Sequence, residues 1–257
     1  MMSLFLTGLS IMLIIGAVTW LLSLCMRDVS IVDSIWSLMF LAAAIFYAAN
    51  TPLDGRSWLV LTLVAIWALR LAIHLTWRNW GEPEDRRYRE IREKYSPYFA
   101  IKSLFIIFVF QAVLASIVAL PILPAISQPA ALGLFDAFGL LLWLLGMGFE
   151  VVGDWQLARF KANPDNQGKV MQSGLWRYTR HPNYFGEWCI WWGFYLFAIP
   201  AGGWWTIISP LLMTFLLLRF SGVSLLEKDI KERRPAYRDY IQRTNAFFPG
   251  PEKISGA

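Results

Sequence analysis

Apolar residues along this chain gather into blocks of about 20, the length a helix needs to cross bilayer hydrocarbon. The blocks predict spans at 3–26, 29–49, 58–77, 101–120, 132–154, 184–200 and 203–220. Each must satisfy its own backbone within hydrocarbon, so helices are the reading. The chain is therefore expected to be an all-α integral membrane protein, a bundle of seven transmembrane helices forming a single domain over 1–257. Polar sequence is confined to loops 78–100 and 155–183 and to a tail at 221–257, which together would cap the bundle on one side.

Charge orients the bundle, because cationic flanks stay cytoplasmic. Residues 78–102 hold seven Lys or Arg, 155–183 hold five and 219–257 hold eight, so three segments carry 20 of the 23. All three fall on one side of a seven-span arrangement, predicting the N-terminus outside and the C-terminus in the cytosol. Trp58, Trp77, Trp80, Trp155, Trp204 and Trp205 sit near proposed span ends, where amphipathic rings anchor.

Finer signals mark the ends of elements. Pro121 and Pro124 should stop the fourth span. In the first loop, acidic residues precede basic ones in EPEDRRYREIREK, as a short charged helix prefers. The tail from Glu227 places Ile230, Tyr237, Tyr240 and Ile241 among charges, a pattern for a helix lying against the membrane face. Gly146, Gly148 and Gly153 are expected to allow close helix packing.

Composition narrows the class. Hydrophobic residues are 57% and charged residues 16%, which no soluble core requires. The first span lacks a basic leader and a small-residue cleavage site, so it reads as a retained helix. Two cysteines, Cys25 and Cys189, exclude a disulfide framework and read as packing residues. The net charge of +5 follows topology and attraction to anionic head groups. Without a recognisable binding fold it does not indicate nucleic acid, and no obligatory protein partner is inferred.

Several ionisable residues lie at membrane depth: Asp33, Arg70, His74, Asp136, Glu150, Asp154, Glu187 and Arg219. Span ends account for Asp136. The others need partners, water or a ligand, because an isolated charge in hydrocarbon is costly. Glu150 and Asp154 are four apart and share a helix face, while Glu187 follows the run RHPNYFG into the sixth span. Three carboxylates facing three basic loops suggest a polar cavity open to the cytosol, with a structural ion-pair network as the competing account. Cations such as Lys161, Lys169, Arg177, Arg180 and Arg219 suit phosphates, carboxylates suit ribose hydroxyls or an amide, and Trp or Tyr faces stack a ring. That combination fits a nucleotide. A Rossmann site is excluded, since no G-x-G-x-x-G follows a strand, and the two histidines, His74 and His181, lack the neighbours a metal site needs.

The run SGLWRYTRHPNYFGE (173–187), with EVVGD (150–154), DSIW (33–36), the RNWGEPEDRRY loop and the closing YRDYIQRTNAFFPGP, resembles the bacterial branch of the steroid 5α-reductase-like membrane proteins over nearly the whole chain. The R-H-P-N-Y segment also relates it to sterol reductases and isoprenylcysteine carboxyl methyltransferases. The resemblance implies a seven-helix fold in the bacterial inner membrane, with NADPH entering from the cytosol and a lipid or steroid-like substrate from the bilayer. It implies cofactor contacts at Asp154, Lys161, Lys169, Tyr178, Asn183, Glu187 and Arg219, with Arg180, His181 and Tyr184 in the reductase-like motif and Glu150 where a polar amide is common. At the catalytic end, Asp33 takes the place of the family carboxylate, whereas the family tyrosine position falls on Trp67.

The expected chemistry is hydride transfer to the β-carbon of a conjugated lipid alkene, with a proton supplied to the adjacent carbon; Asp33 or His74 is expected to hydrogen-bond the carbonyl or relay that proton. Two other readings stay open: methyl transfer from S-adenosylmethionine to a lipid or prenyl-cysteine carboxylate, and a non-enzymatic lipid-binding or transport protein. A retinal-type receptor is weaker, because the seventh span has no lysine.

Overall fold

The computed structural model describes residues 1–220 and 236–253. Among the described residues every regular element is a helix. The chain forms two compact units, Met1–Gly133 with Phe197–Thr206, and Leu134–Leu196 with Ile207–Ala257.

In the first unit, α1 (Met2–Met26), α2 (Ile31–Ala49) and α3 (Gly55–Asn79) are long apolar helices. A charged helix α4 (Arg86–Lys94) follows, then a continuous run of α5 (Phe99–Ser103), a π-helical stretch Leu104–Val109 and α6 (Phe110–Val118). Short α7 (Ile122–Ser127) leads towards the second unit. Large side chains lock α2 against α3: Phe40 and Trp67, both fully buried, meet edge to face with ring centroids 5.4 Å apart. Ser37 adds a hydrogen bond from its Oγ to the Ala68 carbonyl, 2.9 Å. The start of α3 is fixed by Asp54, whose carboxylate caps the Ser57 N–H at 2.8 Å and also receives the Ala130 N–H at 3.1 Å.

In the second unit, α8 (Leu134–Ala162) and α9 (Pro182–Ala198) meet backbone to backbone. A Cβ on Gly186 would lie 2.5 Å from the Gly146 carbonyl oxygen, and one on Gly193 would lie 2.9 Å from that of Gly139. No larger residue fits such a crossing, the small-residue packing that membrane helices use. The chain continues through α10 (Ile208–Phe215), a π-helical turn Leu216–Phe220, and, after residues 221–235, α11 (Tyr237–Arg243).

Among the described residues, five helical stretches are long and apolar enough to cross a membrane: α1, α2, α3, Phe99–Val118 and α8. They agree with the first five predicted spans. The remaining two correspond to shorter helices, α9 with 17 residues and the apolar stretch Trp204–Arg219. The six tryptophans predicted near span ends are all exposed. Pro121 stops the fourth span as expected, but Pro124 lies inside α7, because N–H groups of the first helical turn have no intrahelical acceptor and their loss costs nothing there. Helix α8 runs past 154 to Ala162 into the stretch read as loop, since Gln156, Leu157, Ala158 and Lys161 are all good helix formers. Gly148 faces open space rather than a neighbouring helix, whereas Gly146 and Gly153 do pack closely, the latter on Pro182. Cys25 is exposed and Cys189 buried, so only the second packs in the protein interior. The predicted tail helix is described only from Tyr237; Glu227 and Ile230 lie outside the described residues.

Candidate functional site

Among the described residues, each unit gathers a polar cluster around a sequence-predicted site residue. In the first, the charged helix α4 is pinned to the start of α2. Asp85 caps α4 by accepting the Arg87 N–H at 2.9 Å, which fixes the direction of the next two side chains. Arg87 then donates from Nη2 to Asp33 Oδ2 at 2.9 Å, and Tyr88 donates its hydroxyl to Asp33 Oδ1 at 2.6 Å. Gln111, from α6, donates to the Tyr88 oxygen at 3.4 Å. Burial pushes the Tyr88 hydroxyl well above the usual tyrosine range, and the Asp33 charge adds to that effect.

A second link stands beside the first. Arg92 grips Glu84 through two hydrogen bonds, 2.8 Å from Nε and 2.6 Å from Nη2, and Glu84 in turn accepts the Val29 N–H at 2.9 Å. Burial alone would raise the Glu84 carboxyl, but these donors outweigh it and hold it below the ordinary glutamate range; Asp85 is held low against burial by Arg87 in the same way. The Arg92 guanidinium also covers the Phe99 ring at 4.5 Å. The two links tie the α1–α2 junction to the loop before α4.

In the second unit the α8–α9 crossing sets the site. Because Gly186 has no side chain, Glu150 lies directly against its backbone: a Cβ there would be 2.8 Å from Glu150 Cγ. One turn along α8, Asp154 Oδ1 accepts from Asn183 Nδ2 at 3.2 Å, and the Asn183 oxygen accepts the Tyr184 N–H at 3.1 Å. Both polar ends of the Asn183 amide are thereby oriented. The His181 and Tyr184 rings stack with centroids 5.5 Å apart and 8° between planes. Glu187 accepts the Trp191 indole N–H at 2.9 Å. Glu150, Asp154, His181 and Glu187 are all buried, whereas Lys161, Lys169, Tyr178 and Arg219 are exposed.

The loop before α9 is held by the tail. Arg180 donates its backbone N–H to the Asn245 carbonyl at 2.9 Å, and its Nη1 reaches the carbonyls of Ile241 and Thr244. The Thr179 hydroxyl donates to the Phe247 carbonyl at 2.8 Å, the Gly250 N–H returns to the Tyr178 carbonyl at 3.1 Å, and the Tyr240 hydroxyl binds the Trp176 carbonyl. Arg180 is thus a buried organiser of the motif.

The structure therefore brings Glu150, Asp154, His181, Asn183, Tyr184 and Glu187 to one helix crossing and sets Lys161, Lys169, Tyr178 and Arg219 on exposed positions of the same unit. Asp33 lies in the other unit, in the cluster with Arg87 and Tyr88. His74, also in that unit, is half-buried on α3 with its ring 6.2 Å from Trp77. Trp67, at the family tyrosine position, is a core residue. Sequence reasoning missed Tyr88 and Arg87 as partners of Asp33. The signal was local: an N-cap Asp85 puts residues two and three positions on at the first turn of α4, facing whatever that turn packs against.

A family described as a protein of unknown function, DUF1295, matches residues 19–244. Two fission yeast (Schizosaccharomyces pombe) proteins are similar. Uncharacterized protein C594.04c is 28% identical over 277 aligned residues, covering 95% of this chain and 79% of the relative. Uncharacterized protein C9.08c is 35% identical over 92 residues, 29% of this chain and 33% of the relative. No solved structure matches the chain. The match over 19–244 spans both helix-rich units and both clusters, so the chain belongs to the DUF1295 family, which includes steroid 5α-reductase-like proteins.

Proposed function

We propose that this protein is an NADPH-dependent membrane reductase of the bacterial branch of that family, acting on a conjugated carbon–carbon double bond of a steroid-like or other lipid. On this reading α9 and Trp204–Arg219 are the sixth and seventh spans, and the basic segments face the cytosol with the C-terminus. The single observation that carries the proposal is the α8–α9 crossing, where the half-buried Asn183 and Tyr184 stand beside the buried Asp154, Glu150 and His181, with Asp154 bonded to Asn183 and the His181 and Tyr184 rings stacked.

The donor set there suits a nicotinamide nucleotide. Asp154 and Asn183 offer an acceptor and an amide to hydroxyl or carboxamide groups, the flat His181–Tyr184 pair offers a ring face, and exposed Lys161 and Lys169 offer charge to phosphates. When bound, NADPH supplies the hydride that the β-carbon receives. The protein's own tasks are to orient the reactants, exclude water and deliver a proton to the adjacent carbon. Asp33, which accepts the Tyr88 hydroxyl at 2.6 Å, and His74 are the groups assigned to that proton.

Thermal unfolding of the detergent-purified protein tests the reading, because a ligand that binds only the native state raises its stability. NADPH should stabilise it, and Asn183→Ala or Lys169→Ala should remove the effect. Stabilisation by S-adenosylmethionine in place of NADPH would move the assignment to lipid carboxyl methylation. Stabilisation by neither would leave a lipid-binding role. If NADPH binds but neither Asp33→Asn nor His74→Gln abolishes turnover of an enone lipid, the proton assignment is wrong.

A further inference from the structure

The turn between α4 and α5 turns side chains outward. Tyr98 stands there at φ 68, a left-handed backbone that a bulky residue rarely adopts, and its side chain finds little protein to pack on, being 76% exposed. Two ammonium groups are held around the neighbouring Tyr95. Lys94 Nζ lies 5.5 Å from the Tyr95 ring centroid, and Lys102 Nζ donates to the Tyr95 carbonyl at 3.1 Å. A cation over a ring keeps its N–H groups for other acceptors, and one hydrogen bond leaves Lys102 two more.

The seat of these groups is fixed. Phe99 is buried beneath the Arg92 guanidinium, and the Trp20 indole donates to the Ala100 carbonyl at 2.8 Å, tying α5 to α4 and to α1. Tyr98, Ile101, Lys102 and Phe105 follow the three- and four-residue spacing of one helix side, and all four are exposed. Seven helical residues rise about 10 Å. Phe105 lies inside the apolar stretch Phe99–Val118, whereas Lys94 closes the charged helix α4. The face therefore runs from hydrocarbon to head-group depth, apolar at one end and aromatic and cationic at the other.

We propose that this face binds one anionic phospholipid, with its phosphate between Lys94 and Lys102, its head group against Tyr98 and an acyl chain along Ile101 and Phe105. Interfacial anchoring alone accounts for exposed tyrosines, but not for two ammonium groups gathered on Tyr95. Because α4 also carries Arg87 and Tyr88 to Asp33, a lipid held at the end of α4 steadies that cluster as well. The inference does not rest on the reductase reading, since none of the residues of this face is assigned to cofactor or proton.

Native mass spectrometry of the full-length protein in detergent tests it, with dioleoyl phosphatidylglycerol and dioleoyl phosphatidylcholine as probes, because the two share acyl chains and phosphate and differ in net charge. Wild type should hold one phosphatidylglycerol roughly tenfold more tightly than phosphatidylcholine. Lys94→Gln combined with Lys102→Gln should remove that preference. Tyr98→Gly, which deletes the ring and suits the left-handed backbone, should weaken it without loss of fold. Arg86→Gln combined with Arg89→Gln takes two charges from exposed positions of the same helix and should leave the preference intact. No preference in wild type, a preference that survives in the lysine pair, or equal loss in both pairs overturns the site. A dimer that excludes lipid and dissociates in Tyr98→Gly also overturns it, making the occupant a second copy of the chain. Because NADPH is not among the probes, failure here leaves the reductase reading standing, and failure of that reading leaves this one.

Discussion

The two units reach close helix contact by opposite means. In the first, α2 and α3 interlock through bulk, with Phe40 against Trp67 and Trp36 edge-on to Phe40 at 4.7 Å. In the second, α8 and α9 touch through missing side chains at Gly146, Gly186 and Gly193. Bulky packing fills space with apolar atoms and leaves polar groups at the helix ends, which is where Asp33 meets Arg87 and Tyr88. Backbone contact instead draws short polar side chains on the two helices into reach along their length, which is how Asp154 comes to bond Asn183. The glycine crossing is thus the condition for the polar crossing.

That contrast can be broken most severely at Gly186. Gly186→Val would drive a side chain into the Gly146 carbonyl and Glu150, neither able to retreat, and should destabilise the fold by about 3 kcal/mol or more. Thermal unfolding in detergent would check it, and a small effect would mean the crossing is looser than its distances. Next comes Arg87→Ala, which leaves Asp33 with a lost ionic partner in a partly buried place and should cost about 2 kcal/mol by the same measurement. Gly8→Ala tests the first unit's tolerance. The added methyl would meet the hydroxyl end of the buried Tyr47 ring, a side chain rather than backbone, so the cost should be about 1–2 kcal/mol, below that at Gly186.

The smallest effect is on pH. Glu84 and Asp85 have folded-state pKa values below their unfolded ones, so their contribution is complete above the ordinary carboxylate range and declines as pH falls through the folded values. The midpoint of thermal unfolding should therefore drop as pH is taken below about 4. Glu84→Gln should flatten that drop while lowering stability at neutral pH.

How much of this was legible in the sequence follows from the range of the forces. The long helices could be read because hydrophobic length is a local property, and α4 because acidic residues precede basic ones along it. Glu150 and Asp154 could be placed on one face by helical spacing alone. The π-helical stretch Leu104–Val109 carries no residue signature, and the end of α8 was placed early because hydrophobicity stops before helix propensity does. Contacts between distant segments were out of reach. Nothing near Asp33 names Tyr88 as its partner, 55 residues away. Nor does the R-H-P-N-Y run reveal that its arginine serves tail carbonyls more than 60 residues downstream.

The hold of the tail on that arginine also sets an order of assembly. During synthesis the residues from Trp176 to His181 leave the ribosome long before Tyr240, Thr244, Asn245 and Phe247, the groups that satisfy them. Until those late residues arrive, the buried Arg180 guanidinium and the Thr179 hydroxyl must stay hydrated or be chaperoned, so the loop preceding α9 acquires its final shape as one of the last acts of biogenesis. A chain interrupted before Ile241 would retain the five long apolar helices yet never finish the face on which Asn183 and His181 stand.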